Sequence, residues 1–361
     1  MTTIDKIKII AKEEINDELL VKSSTKYKTY KTVDEQIKYL KSHKKILISD
    51  EQANAFRERG YSSIINPYKE FFSYGRDEKN CHIYNDVTQF SEIIALISID
   101  DRLCQILYSL IGVFEKKFKR VLFNEICLKY ANHNEDLPCI SYINEIEKYQ
   151  SSFSDEDLPR FCRNIKYRIK KGEGYVEDLY AYEKRLPILN KLRELGTGFK
   201  ADGQSSEEKK NKLIAHYLKK QPIVPLWIIP NGLSLGEFNL LFLILDKESQ
   251  INIIGAFYDL NIKKIDTNKI LAFSGLLEMI RKMRNIINHY EPLYPLIYNE
   301  TKDFKKIEES SIKHSFDLLI STYEDSVFPK KIADKLDVKE NNFNSKHLRT
   351  LKLIDELIKR K

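Results

Sequence analysis

Arg284, Asn285 and His289 fall within one hexapeptide, Arg284-Asn285-Ile286-Ile287-Asn288-His289. It is the one place in the sequence where His follows Arg at a distance of five. These residue types suffice to break an RNA phosphodiester without a metal ion. A base takes the proton from a ribose 2′-OH, and the freed oxygen attacks the adjacent phosphorus. An acid then protonates the leaving 5′-oxygen. Histidine suits either role because its ordinary pKa lies near neutrality, and positioned proton transfer contributes roughly 10²–10⁴-fold. Arg284 would hold the phosphate and stabilise charge growing on its equatorial oxygens. Asn285 would orient the histidine or a phosphate oxygen. One histidine cannot easily be acid and base at once, so a symmetric homodimer with a composite site is expected. The alternative is a second, degenerate site within the chain. Its nearest candidate is Arg163-Asn164-Ile165-Lys166-Tyr167-Arg168, which lacks His. The same three residues also suit an ordinary helix end, with His capping carbonyls and Arg in a salt bridge.

The segment that must position these groups reads as a core helix. Ile270, Leu271, Phe273, Leu276, Leu277, Ile280, Met283, Ile286 and Ile287 recur at helical spacing, and Glu291-Pro292 should end the run. Asn285 and His289, four apart, share one face. Upstream, Leu103, Ile106, Leu107, Leu110, Ile111, Phe114, Phe118, Leu122 and Ile126 form one long apolar stripe. Asp100-Asp101 reads as the N-terminal cap of that helix. Three capping boxes stand out, at Thr32–Glu35, Ser49–Gln52 and Ser234–Glu237. Gly60 suits a left-handed stop, and the aromatic-rich stretch 61–81 reads as irregular. Further helices are expected near 140–150, 174–195, 206–219, 234–246, 248–259, 308–323 and 345–361. The apolar run 223–245 is broken by Pro225, Pro230, Asn231, Gly232 and Glu237, which argues for a turn and a core helix rather than a membrane span. The expectation is an all-α chain. A helical unit spans 1–80, a larger bundle 86–325, and a charged helical tail 326–361.

Bulk properties narrow the partners. The net charge of +7 is too small to prove nucleic-acid binding, so local runs matter more. Eight lysines crowd residues 22–45, among them Lys28 and Lys31, with Tyr27 and Tyr30 between them. Arg163, Lys166, Tyr167, Arg168, Lys170 and Lys171 form a run without an acid. The third run is at 346–361. Such residues would contact phosphates and stack on unpaired bases, and these are the expected RNA-binding positions. Solvated helix faces would look the same. Five cysteines without a C-x-x-C pair argue against a disulfide framework and a zinc site, and fit a reducing cytoplasm. No metal or other cofactor is expected. The N-terminus, Met1 to Glu14, has no apolar run long enough for a signal peptide, and no membrane partner is expected.

The R-N-x-x-x-H helix resembles that of the HEPN superfamily of RNases. The surrounding sequence resembles the Abi-like group of bacterial abortive-infection proteins, of AbiD and AbiF type. Three further blocks agree in order and spacing. The first runs from Thr32 to Phe72. The second is Asp100-Asp101-Arg102-Leu103 followed by Glu115, and the third is Pro225-Leu226-Trp227 followed by Ser234-Leu235-Gly236. Together they span about 32–300. Cys104 stands where the family tends to have Arg, and Asn231 where an acid is usual. The resemblance implies a HEPN-type helical bundle with an N-terminal helical extension and a basic C-terminal helix. It also implies dimerisation, metal-independent RNA cleavage and a toxin role in defence against phage. Some relatives associate with structured small RNAs, which makes such an RNA a candidate inhibitor or guide. A catalytically silent RNA-binding or phage-sensing module in the same setting is the competing expectation.

Overall fold

The computed structural model describes residues 30–78, 82–84, 88–131, 138–162, 176–200, 202–205, 211–301 and 311–324. Helices dominate them, and the fold is all-α with a few short strands. The expected RNA-contact residues Lys28 and Arg163, Lys166, Tyr167, Arg168, Lys170 and Lys171, and the C-terminal tail, lie outside the described residues. Two compact units divide at residues 95 and 96.

In the first unit, α1 (Val33–His43) and α2 (Asp50–Arg59) each open on a full capping box, at Thr32 and Ser49. Gly60 closes α2 at φ +77, a conformation that costs glycine little. Between the two helices, Ile46–Leu47 (β1) pairs in parallel with Thr88–Gln89 (β4). The stretch after Gly60 is more ordered than its composition suggests. It holds α3 (Tyr61–Ile64), α4 (Lys69–Phe72) and β2 (Ser73–Arg76), which pairs antiparallel with β3 (His82–Tyr84). Buried Phe56, Ile64, Tyr68 and Phe71 supply the hydrophobic reason, since these apolar positions, three of them aromatic, anchor short elements to one small core.

The long helix α5 (Phe90–Ala131) runs through the division. It begins about ten residues before Asp100, because Phe90, Ile93, Leu96 and Ile97 extend the apolar stripe and are all buried. Asp100 is therefore an interior residue of α5, and the expectation that it caps this helix fails. In the second unit α5 is followed by α6 (Pro138–Ser152), α7 (Val176–Thr197) and α8 (Lys212–Lys220). The former membrane-like run forms a 3₁₀ turn, Leu226–Gly232, and then α9 (Leu235–Ile244), opened by the Ser234–Glu237 capping box. Among the described residues no helix is long and apolar enough to cross a membrane. Then come α10 (Lys247–Tyr258), α11 (Thr267–Asn288), α12 (Tyr294–Thr301) and α13 (Ser311–Glu324).

Aromatic side chains join these helices. Phe114 and Phe118 of α5 meet Phe257 of α10 with ring centroids 5.3 and 6.4 Å away. Phe118 also meets Phe242 of α9 at 6.2 Å and Phe273 of α11 at 6.0 Å. Tilted and edge-on rings at these distances add about 0.5–1.5 kcal/mol per pair beyond their burial. One dry aromatic cluster thus fixes α5 and α11 relative to each other, which is what the candidate site requires. α11 packs on α9 and α13, and α12 packs on α13.

Candidate functional site

Helix α11 is opened by Asp266, whose side chain accepts from the Lys269 amide. Its buried residues Ile270, Phe273, Leu277, Met279, Ile280 and Met283 hold it in the core. The apolar expectation weakens toward the C-terminus, where Ile286 and Ile287 are only half-buried. There the helix leaves the core and its polar groups emerge.

The helix stops at Asn288, before Glu291-Pro292 is reached. His289 is the C-cap residue, and its amide donates to the Asn285 carbonyl at 3.0 Å. Tyr290 follows in the left-handed region at φ +56. Its amide donates to the Ile287 carbonyl at 3.2 Å, and the Glu291 amide donates to the Ile286 carbonyl at 3.0 Å. This pair of bonds is the Schellman closure, which normally uses glycine at the left-handed position. The His289 side chain is exposed. The Tyr290 ring beside it is 97 % exposed.

Arg284 and Asn285 diverge by about 100° around the helix axis, one residue's worth of turn. The partner of Arg284 is Asn288, one turn on. With its amide oxygen turned to the guanidinium, the orientation that pairs acceptor with donors, Asn288 accepts from Nε and Nη1 of Arg284, each at 3.2 Å. Arginine carries five N–H donors, so others can meet an anion. Among the described residues no carboxylate forms a salt bridge with Arg284. Asn288 was missed in the sequence, although its spacing of four from Arg284 equals that of Asn285 from His289.

Arg284, Ile287 and Asn288 line one wall of a cavity of about 160 Å³. The other wall is α5, through Tyr108, Ile111, Gly112 and Glu115. Asn285 and His289 do not line it. The Tyr108 side chain is 64 % exposed at the rim. Glu115 accepts an ion pair from Lys119 Nζ at 2.9 Å, so Lys119 offsets its charge and the guanidinium leaves the cavity net positive. Gly112 is the unexpected member. A glycine inside a helix costs about 1 kcal/mol relative to alanine. No atom would lie within 4 Å of a Cβ added there, so close packing does not demand glycine.

Two residues of α5 hold the segment just beyond His289. Asp100, buried at 2 % exposure, accepts the amide of Tyr294 at 2.9 Å and so caps α12 from a helix 194 positions away in sequence. Cys104, one turn on, meets the backbone at Leu293. Burial first, then Asp100 and Asp101, pushes the Cys104 thiol up to about 12, against a smaller opposing effect of that backbone bond. It therefore stays a neutral thiol at neutral pH. Leu293 and Tyr294 themselves are fully buried. The position where the family resemblance leads one to expect Arg thus supports the turn after His289. Asn231, the other departure, donates to the Ile228 carbonyl at 2.9 Å within its own 3₁₀ turn. It is not among the groups that line the cavity. Trp227 in the same turn is 56 % exposed. Gly236 does lie by α11, with a Cβ there 3.4 Å from Cδ of Arg281.

Of the expected RNA contacts, Lys31 is described and exposed, with Nζ 4.5 Å from the centre of the Tyr39 ring. Among the described residues no group of three or more His, Cys, Asp or Glu side chains could hold a metal ion.

The fold and the site together define an all-helical protein carrying an Arg–His hexapeptide at the exposed end of a core helix. The family described as Abi-like protein matches residues 51–295. That span covers most of the chain and reaches from α2 to the start of α12. The chain belongs to the Abi-like protein family, and membership points to a role in abortive infection and so in antiviral defence. Neither a curated protein nor a solved structure matches it.

Proposed function

We propose that this protein is a metal-independent endoribonuclease of the HEPN superfamily, an AbiD/AbiF-type toxin of a bacterial antiphage abortive-infection system. The observation that carries the reading is the end of α11. There Arg284 is steadied by Asn288 at a positively biased cavity, while His289 stands exposed five residues on. Arg284 binds a non-bridging phosphate oxygen by charge-assisted hydrogen bonds. Histidine removes the 2′-OH proton, the 2′-oxygen bonds to phosphorus, and the bond from phosphorus to the 5′-oxygen breaks. A second histidine gives its proton to that oxygen. The products are a 2′,3′-cyclic phosphate and a free 5′-OH, and no electrons are exchanged. Two facing copies supply the two histidines, so the active unit is a homodimer acting in the cytoplasm, with a structured small RNA as candidate inhibitor or guide.

The test is RNA cleavage in EDTA by wild type, Arg284→Ala and His289→Ala, with product ends analysed. Cleavage to cyclic phosphates by wild type, lost at least 10²-fold in both variants, is the expected result. RNA binding without cleavage by a folded dimer would favour a silent RNA-binding module.

A further inference from the structure

We infer that the cavity between α5 and α11 is a seat for one unpaired nucleobase, with Tyr108 as its stacking face. The inference rests on the reading of the α11 terminus as an RNA site and names the part of the strand that the cavity takes. Its volume, about 160 Å³, leaves room for several waters and so for one planar heterocyclic base. Ile111 and Ile287 give it an apolar floor, while Arg284, Asn288 and Glu115 converge on it with donors and acceptors. Apolar walls with a few convergent polar groups are the make-up of a small-ligand site. The Tyr108 ring is 64 % exposed at the rim, where a base can lie against it.

Gly112 is the independent observation. Helix α5 tolerates a residue that weakens it, in a place where nothing lies within 4 Å of a missing Cβ. Any larger side chain there projects into the space that the base would fill. Glycine at this position therefore keeps the cavity open. Because Arg284 lines the same cavity, the base is the one adjoining the phosphate that it holds.

The experiment uses the full chain and four homotetramer RNAs carrying 2′-O-methyl groups, which bind but cannot be cleaved. Affinity is measured by fluorescence anisotropy for wild type, Gly112→Ala, Gly112→Leu, Tyr108→Phe and Tyr108→Ala. Circular dichroism and light scattering check fold and oligomeric state. Cleavage of unmodified RNA in EDTA is followed in parallel. The expected result is binding by wild type with a preference among the four bases. Gly112→Leu and Tyr108→Ala should lose about ten-fold or more. Tyr108→Phe should stay within about three-fold of wild type, because the stacking ring survives, and Gly112→Ala should fall between wild type and Gly112→Leu, because its methyl takes up part of the cavity. Binding and cleavage unchanged in Gly112→Leu would overturn the base seat and leave the nuclease reading standing. Binding lost in Gly112→Leu while wild type never cleaves would sustain the seat and sink the nuclease. Two other outcomes also overturn the inference. They are wild type binding none of the tetramers, and Gly112→Leu dissociating the dimer, which would make the cavity an interface between copies.

Discussion

Tyr290 holds a left-handed backbone at φ +56 with its ring almost wholly in solvent. Leaving the right-handed region costs a non-glycine residue about 1–2 kcal/mol. The ring gains little burial to offset that. Tyr290→Gly removes the strain but frees the unfolded chain, which costs about 0.4–1 kcal/mol. The net expectation is a gain of about 0.5 kcal/mol in urea unfolding at unchanged m-value. Tyr290→Val adds a β-branch to the same backbone and should lose about 1 kcal/mol or more. Equal midpoints for Tyr and Val would show that the helix end is not strained. Backbone strain of this kind concentrates at functional sites, and here it adjoins His289. At this scale the sequence was legible for residue types and spacing. R-N-x-x-x-H lies, as its spacing predicts, in the last turns of a core helix, where polar groups emerge. The neighbours were less legible. Asn288 is within the hexapeptide, yet its bond to Arg284 depends on rotamers. Tyr108, Gly112 and Glu115 interleave with the buried stripe of α5 and read as its solvent face. Only the approach of α11 turns that face into a wall.

Elements with local causes could be read in advance, whereas those with distant causes could not. The three capping boxes form from side chains three residues apart, and all three are present. The helices on long apolar stripes also follow the sequence, because period and burial agree. α12 was not foreseen. Its N-terminus is capped by Asp100 from a distant helix, and its first turn is sealed by buried Leu293 and Tyr294. That cap supports the chain immediately after His289, which makes it a test of how one element steadies another. Asp100→Ala removes the acceptor of the Tyr294 amide and should cost about 1–2 kcal/mol of stability. Amide hydrogen exchange should speed up at Tyr294 while the mid-helix amides of α11 keep their protection. Asp100→Asn keeps an acceptor oxygen and should retain most of the stability. Unchanged exchange at Tyr294 in Asp100→Ala would mean that α12 is held by packing alone.

The whole molecule raises the question of how many chains make one site. If acid and base are the two histidines of a symmetric dimer, a heterodimer with one His289→Ala chain lacks one of them and is inactive. If each chain carries an independent site, the same heterodimer keeps half its activity. Random pairing of equal amounts of wild-type and variant chains gives about one quarter wild-type dimers. An equal mixture, allowed to exchange subunits at constant total protein, should therefore retain about a quarter of the wild-type cleavage rate. Independent sites would retain about half. The curve of rate against wild-type fraction sharpens the distinction, because a composite site gives a square law and independent sites a straight line. Arg284→Ala mixed with wild type provides a second curve. A single phosphate gripped by one guanidinium would leave heterodimers partly active and flatten the curve toward the line. A square law for both variants would mean that the two arginines act together on the transition state. A straight line for His289→Ala would remove the composite site and require one histidine to serve both proton transfers in turn.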